Sequence, residues 1–216
     1  MEPKSKRYSA RLKDVLQESD GVYTFVFETD EPLPYAAGQY AHLKLPEMPS
    51  SGVHEFSLSS APGEDPAFTT RVRDESEYKQ FLKNMRPGSP AEIFKLKGEF
   101  TVPDERPAPV FVAQGIGITP VRSIVTDRSR RSLSLPPALV HVGRSFPFEQ
   151  ELAAHAFPQY RIGRPEIDTT LERIVPAHQG AFFYAVGSPE FVLNINEKLT
   201  ALDVDESRLK TDDWGY

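Results

Sequence analysis

A continuous apolar run, Val110-Phe-Val-Ala113, closes on Gln114 and the turn Gly115-Ile-Gly117, then leads into the apolar-periodic segment Pro120-Val-Arg-Ser-Ile-Val125. No other stretch restricts the fold as strongly. An apolar run without polar alternation reads as a strand buried on both faces, and a helix packed against it supplies the cover. The two glycines make the tight turn between them. Such a turn leaves unpaired backbone N–H groups at a helix N-terminus, where the helix dipole favours an anion such as a pyrophosphate. A two-glycine turn alone is a weak signal, because many α/β proteins need one simply to reverse the chain.

The rhythm of the chain changes at Pro103-Asp-Glu-Arg-Pro-Ala-Pro109, a charged, proline-rich segment that marks a domain boundary, with residues 1–105 before it and 106–216 after. Upstream the pattern is mostly of period two. Tyr23, Phe25 and Phe27 share one face of Val22–Phe27, and apolar and polar residues alternate over Ala41–Leu45. Phe68, Thr70 and Val72 alternate with Thr69, Arg71 and Arg73, and Ala91–Leu96 is a further strand. Short strands separated by glycine and proline turns predict an antiparallel β-barrel. One helix interrupts it, with Tyr78, Phe81, Leu82 and Met85 on a common face and Pro87-Gly88 at its end.

Downstream, Val110–Ala113, Ala138–Val142 and Ala181–Val186 are continuous apolar runs. Helices are expected from Pro120, over Phe148–Ala154, over Thr170–Val175 and from Pro189 to Leu199. Alternating strand and helix predicts a doubly wound parallel sheet. The fold class is therefore a β-barrel followed by an α/β domain.

The net charge of -6 disfavours nucleic acid as a partner. No apolar run approaches the ~20 residues of a membrane span, and no secretory signal is visible, so the expected location is cytoplasmic. The chain has no cysteine, which excludes disulfides, thiol catalysis and cysteine-held zinc or iron–sulfur clusters within it. Its histidines, His42, His54, His141, His155 and His178, lack metal-ligand spacing and read as structural or surface residues; no metal site is assigned.

Two further motifs flank the glycine turn: His54-Glu-Phe56-Ser57-Leu58-Ser59-Ser60 upstream and Val186-Gly187-Ser188-Pro189 downstream. A barrel with one helix, then an α/β domain, carrying these motifs in this order, resembles the ferredoxin–NADP reductase superfamily over essentially the whole chain. The resemblance implies that Phe56 lies against a flavin ring and that the Ser57 hydroxyl bonds near the reactive flavin nitrogen, with Leu58 and Ser59 continuing the flavin-binding strand. His54 stands where the superfamily has an arginine on the flavin phosphate, and imidazole is a weaker, pH-dependent substitute. Ser76 is expected to cap the barrel helix so that its N-terminus faces phosphate, with Arg71, Arg73 and Lys79 supplying charge. Gly98-Glu-Phe100 resembles the turn that closes the barrel near the flavin.

The resemblance assigns Gly115, Gly117, Ile118, Thr119 and Pro120 to the nicotinamide pyrophosphate, and Gly187, Ser188 and Pro189 to the nicotinamide end. Val186 replaces the superfamily's cysteine. Trp214 and Tyr216 are candidates for the aromatic residue that stacks on the flavin, Tyr216 the better because Gly215 frees its approach. Arg144, with Arg161 and Arg164, offers a clamp for the 2′-phosphate of NADPH. The implied cofactors are FAD, or FMN given His54, with NAD(P)H as electron donor. The implied activity is hydride transfer from NAD(P)H to flavin, and then electron transfer to an acceptor such as ferredoxin, flavodoxin or an oxygenase component. A free-flavin or ferric reductase, and a redox-sensing module without turnover, are the rival readings.

Overall fold

A computed structural model describes residues 5–49 and 52–213. The first sheet contains β1 (Arg7–Ser19), β2 (Val22–Thr29), β3 (Tyr40–Lys44), β4 (Val53–Ser57), β5 (Ala67–Arg71) and β6 (Pro90–Lys97), in the order β4-β3-β6-β1-β2-β5. Every neighbouring pair is antiparallel. A single bridge, Leu58 to Phe68, draws the two edges together into a nearly closed barrel. Phe25, Phe27, Leu43, Leu58, Phe68 and Ile93 fill its interior.

The sequence pattern did not reveal β1, although it is the longest strand. Tyr8, Ala10 and Leu12 are buried between exposed Arg7, Ser9 and Arg11, an alternation confined to its first half. β5 does not follow the expected alternation, because Ala67, Phe68, Thr69 and Thr70 are all buried. The buried Thr69 hydroxyl, on the face opposite Phe68, is satisfied locally: it donates to Ser59 at 2.8 Å and lies 2.7 Å from Thr24. A buried hydroxyl needs such partners, so polar residues can occupy a fully buried strand where neighbouring strands supply them.

The barrel helix α1 (Glu77–Asn84) is capped by Ser76, whose Oγ accepts from the Lys79 amide. It buries Tyr78 and Leu82, and Phe81 and Met85 pack against the same core. The helix stops at Asn84, before the Pro87-Gly88 turn.

The second sheet is parallel, with β7 (Val110–Gln114), β8 (Leu139–Val142), β9 (Gln159–Ile162), β10 (Phe183–Gly187) and β11 (Leu209–Asp213) in the order β11-β10-β7-β8-β9. Its crossovers carry α2 (Ile118–Arg130), α3 (Glu149–Ala153), α4 (Ile167–Ala177) and α5 (Pro189–Ala201). The chain winds from β7 outward through β8 and β9, then returns to the other flank of β7 for β10 and β11. Such a reversal opens a crevice beyond the carboxyl ends of the strands on either side of it. A 3₁₀ turn over Gly115–Gly117 precedes α2, so Pro120 is the third residue of that helix and not its first. A proline costs little there because first-turn N–H groups have no intrahelical partner.

Helix α2 also joins the two sheets. Its Ser123 hydroxyl donates to the Ser60 carbonyl at 2.6 Å, and Arg122 donates to the Ser59 carbonyl at 2.8 Å. Arg122 pairs with Glu64 and Glu151, and Glu64 pairs also with Arg130. Phe100, just past the barrel, packs with Phe111 and Tyr184 of the second sheet. Gly38 permits this contact, since a side-chain carbon there would stand 2.0 Å from the Phe100 carbonyl oxygen. Among the described residues no helix is long and apolar enough to cross a membrane, and no cluster of three or more metal-ligating side chains occurs.

Candidate functional site

The crevice at the carboxyl ends of β7 and β10 faces the barrel across a cavity of about 740 Å³. The barrel wall is made by His54 from β4, Thr70 and Arg71 from β5, Arg73 and Glu75 from the following loop, and Ser76 and Lys79 at the start of α1. The α/β wall is made by Gln114, Gly115 and Ile116 after β7, by Gly187 and Ser188 after β10, and by Arg164. Among the described residues, the cavity is lined by the cations Arg71, Arg73, Lys79 and Arg164 and by one carboxylate, Glu75. In a chain of net charge -6 this is a local concentration of positive charge, and a concave site focuses such a field on an anionic ligand.

The three motifs singled out in the sequence therefore converge on one cavity. Arg71 also bridges the walls, its guanidinium 3.5 Å from the Ser145 hydroxyl and 3.1 Å from the Asp20 carbonyl. The Lys79 ammonium is held below its ordinary pKa, first by burial and then by the charge of Arg73. His54 lies with its ring 4.1 Å from that of Tyr78, and its pKa is lowered by desolvation and then by Lys79. Its imidazole is accordingly uncharged at neutral pH, and the positive charge on this wall comes from Arg71, Arg73 and Lys79.

On the α/β wall the main chain dominates. Gly115 adopts φ +52, and a side-chain carbon there would meet nothing within 4 Å, so its backbone borders open space. Gly117 serves a different end: a side-chain carbon would lie 2.8 Å from the Val186 carbonyl oxygen, so the turn packs directly on β10. Gly187 is confined by Gln114 and Phe191, each 2.8 Å from where its side chain would begin. Gln114 Oε1 accepts from the Ser188 amide at 3.2 Å and ties the two turns together. Ser188 caps α5 by accepting from the Phe191 amide, and Pro189 is the exposed first residue of that helix.

Several residues expected at the cofactor do not line this cavity. Leu58 is sealed in the apolar core of the barrel, and Ser59 is buried in the hydroxyl chain with Thr69 on the opposite face of the sheet. Ile118, Thr119 and Pro120 are buried in the first turn of α2, where they pack rather than line the cavity. Phe56 is half-buried against Phe68 and Tyr78, Ser57 is buried beside it, and both lie off the cavity wall. Arg144 is exposed outside the cavity, and Arg161 is engaged by Glu149 and Gln159, leaving Arg164 as the member of that trio on the wall. Trp214 and Tyr216 lie outside the described residues.

Sequence reasoning missed Gln114, Thr70, Glu75 and Ile116 on the wall. It also passed over His141 on β8, whose Nε2 lies 2.9 Å from the Gly115 carbonyl oxygen. His141 is buried, and desolvation pushes its pKa down to about 4, the Gly115 carbonyl opposing and Arg161 reinforcing the shift. One signal was available: it is the only polar side chain in the apolar run Ala138–Val142.

An antiparallel barrel joined to a doubly wound parallel sheet is the fold that the chain shares with solved structures of the ferredoxin–NADP reductase type. In sequence it is similar to ferredoxin–NADP reductase B of Sorangium cellulosum, 33% identical over 124 residues that make 55% of this chain and 50% of that one. It is similar also to the phenol 2-monooxygenase reductase component DmpP of a Pseudomonas species, 30% identical over 106 residues, 47% of this chain and 30% of that one. The chain thus spans half or less of the length of these two relatives. In structure it matches a ferredoxin NADP+ reductase of Neisseria gonorrhoeae with bound FAD and NADP, at a TM-score of 0.79 and 19% identity, covering 96% of this chain and 98% of that one. At that identity the likeness speaks to the fold. No protein-family model matches the chain.

Proposed function

We propose that the chain is a flavin-dependent NAD(P)H oxidoreductase, with residues 1–105 binding FAD and 106–216 binding the nicotinamide nucleotide. The observation that carries this reading is the cavity, where Arg71, Arg73, Lys79 and Glu75 face a glycine turn at a winding reversal and Arg164 stands on the same wall as the turn. The donor set fits the phosphates of both groups: Arg71, Arg73, Lys79 and the α1 N-terminus on one wall, the Gly115 turn on the other. When bound, a flavin supplies an acceptor for hydride and an outlet for single electrons.

The chain's own contribution is binding and orientation. Arg71 and Arg73 neutralise phosphate, and Ser76 keeps the helix N-terminus directed at it. Gly115 lets the opposite wall approach a second phosphate group without a side chain between them. Gln114 holds the β7 and β10 turns at a set separation, which fixes the nucleotide relative to the barrel. Arg164 is the wall residue placed to favour a 2′-phosphate, and with it NADPH. The names of the relatives, among them a glycine betaine monooxygenase reductase subunit, support an acceptor protein of the oxygenase or ferredoxin type.

Anaerobic titration of the flavin-loaded protein with NADPH and with NADH tests the proposal. Bleaching of the yellow absorption by either supports it, and the preferred coenzyme is the one that bleaches at lower concentration. A second reading, a flavin-binding sensor without turnover, draws on the uncharged His54 and on Val186 in place of cysteine. Retained colour with no bleaching by either nucleotide selects the sensor. Turnover with free flavin or ferric chelate but not with ferredoxin, flavodoxin or an oxygenase component selects the partner-free reductase.

A further inference from the structure

We propose that His141 is a positioning residue for nucleotide binding, setting the orientation of the Gly115–Ile116 peptide through its bond to the Gly115 carbonyl; the inference rests on the reading of the cavity as a nucleotide site. A carbonyl oxygen can only accept, so the imidazole donates and its proton resides on Nε2. The same carbonyl accepts from the Ile118 amide in the 3₁₀ turn. Two donors therefore hold one oxygen.

In a trans peptide the C=O and the following N–H point to opposite sides. No cis peptide occurs among the described residues. With the Gly115 oxygen drawn towards β8, the Ile116 N–H is turned away from His141. Gly115 and Ile116 both border the cavity, so this N–H belongs to the wall that would receive a phosphate.

Glycine makes an orienting bond necessary. A residue with a side chain restricts its own backbone, whereas Gly115 at φ +52 has no side chain to select one peptide orientation over its flipped alternative. His141 supplies the selection from the neighbouring strand, because register places it opposite Ala113, two residues before Gly115. Its ring packs nearly perpendicular to that of Phe146, with centroids 5.1 Å apart, so the imidazole is itself held by packing. An orienting group that stays uncharged leaves the positive charge of the cavity to the arginines and Lys79.

The test is calorimetric titration of the flavin-loaded protein with NADPH and NADH, for the wild type, His141→Leu and His141→Gln, with steady-state kinetics and melting curves alongside. Leucine removes the donor and glutamine restores one. Loss of a single buried hydrogen bond predicts a rise of about five- to tenfold in nucleotide Kd and KM for His141→Leu, with kcat nearly unchanged. His141→Gln recovers most of the affinity. Two results overturn the role: wild-type affinity in a folded His141→Leu protein, or equal loss in both variants. If the wild type itself binds neither nucleotide, the cavity reading fails first, and the positioning role with it.

Discussion

The two walls of the cavity are built from opposite materials. The barrel contributes long side chains on strands and a helix start: Arg71, Arg73 and Lys79, with His54 beside them. The α/β sheet contributes mainly main chain at two glycine turns, cross-braced by Gln114 and His141. Side chains at a rim can be removed one at a time, because each is anchored to its own backbone. A main-chain wall cannot, because its shape depends on what the neighbouring strands allow. Substitutions on the barrel wall should therefore alter affinity and leave the fold intact, and those on the α/β wall should disturb both.

The strongest challenge to this contrast is Gly117→Ala. Its methyl would enter within 2.8 Å of the Val186 carbonyl oxygen, a backbone atom that cannot swing aside. The expected loss is about 2–4 kcal/mol of folding stability, read from the midpoint of urea unfolding. A protein that stays as stable as the wild type would show that the two turns do not depend on their contact.

Acid should separate the walls next. His141 has a pKa of about 4 when folded against 6.5 ordinarily, so the unfolded chain binds more protons between those values. Its contribution is complete above about pH 6.5 and is lost as pH falls towards 4. The shift corresponds to roughly 3 kcal/mol. His141→Gln should flatten this part of the stability–pH curve relative to the wild type. The arginines of the barrel wall keep their charge throughout, so phosphate affinity per folded molecule should not fall in parallel.

Arg73→Ala is the mildest change. Arg73 is exposed, and its removal should weaken binding of a phosphate-bearing ligand by about tenfold at low salt and less at high salt. The melting temperature should stay where it was. A clear drop would mean that the barrel wall, too, is structural.

Much of this was legible in the residues themselves. The three apolar runs marked β7, β8 and β10, and the clustering of Tyr78, Leu82 and their neighbours marked the barrel helix. β9 and β11 escaped because an edge strand keeps one flank in water and needs no apolar run; Gln159-Tyr-Arg-Ile162 and Leu209-Lys-Thr-Asp-Asp213 carry almost none. Ser59 and Thr119 lie off the cavity wall for a related reason. A motif fixes which segment nears the cavity, whereas the twist of that segment decides which of its side chains turn inward. Gln114 was invisible because its role depends on strand register, which no local pattern encodes, and His141 was marked only by its polarity within an apolar run.

Helix α2 begins at the floor of the cleft, and a little over one turn later Arg122 and Ser123 are fastened to the barrel backbone. Floor and fastening thus belong to one stiff rod. The gap between the walls is a manufactured dimension, like the jaw of a fixed spanner: a molecule entering must already match it, and widening it means unfastening Arg122 and Ser123 from the barrel.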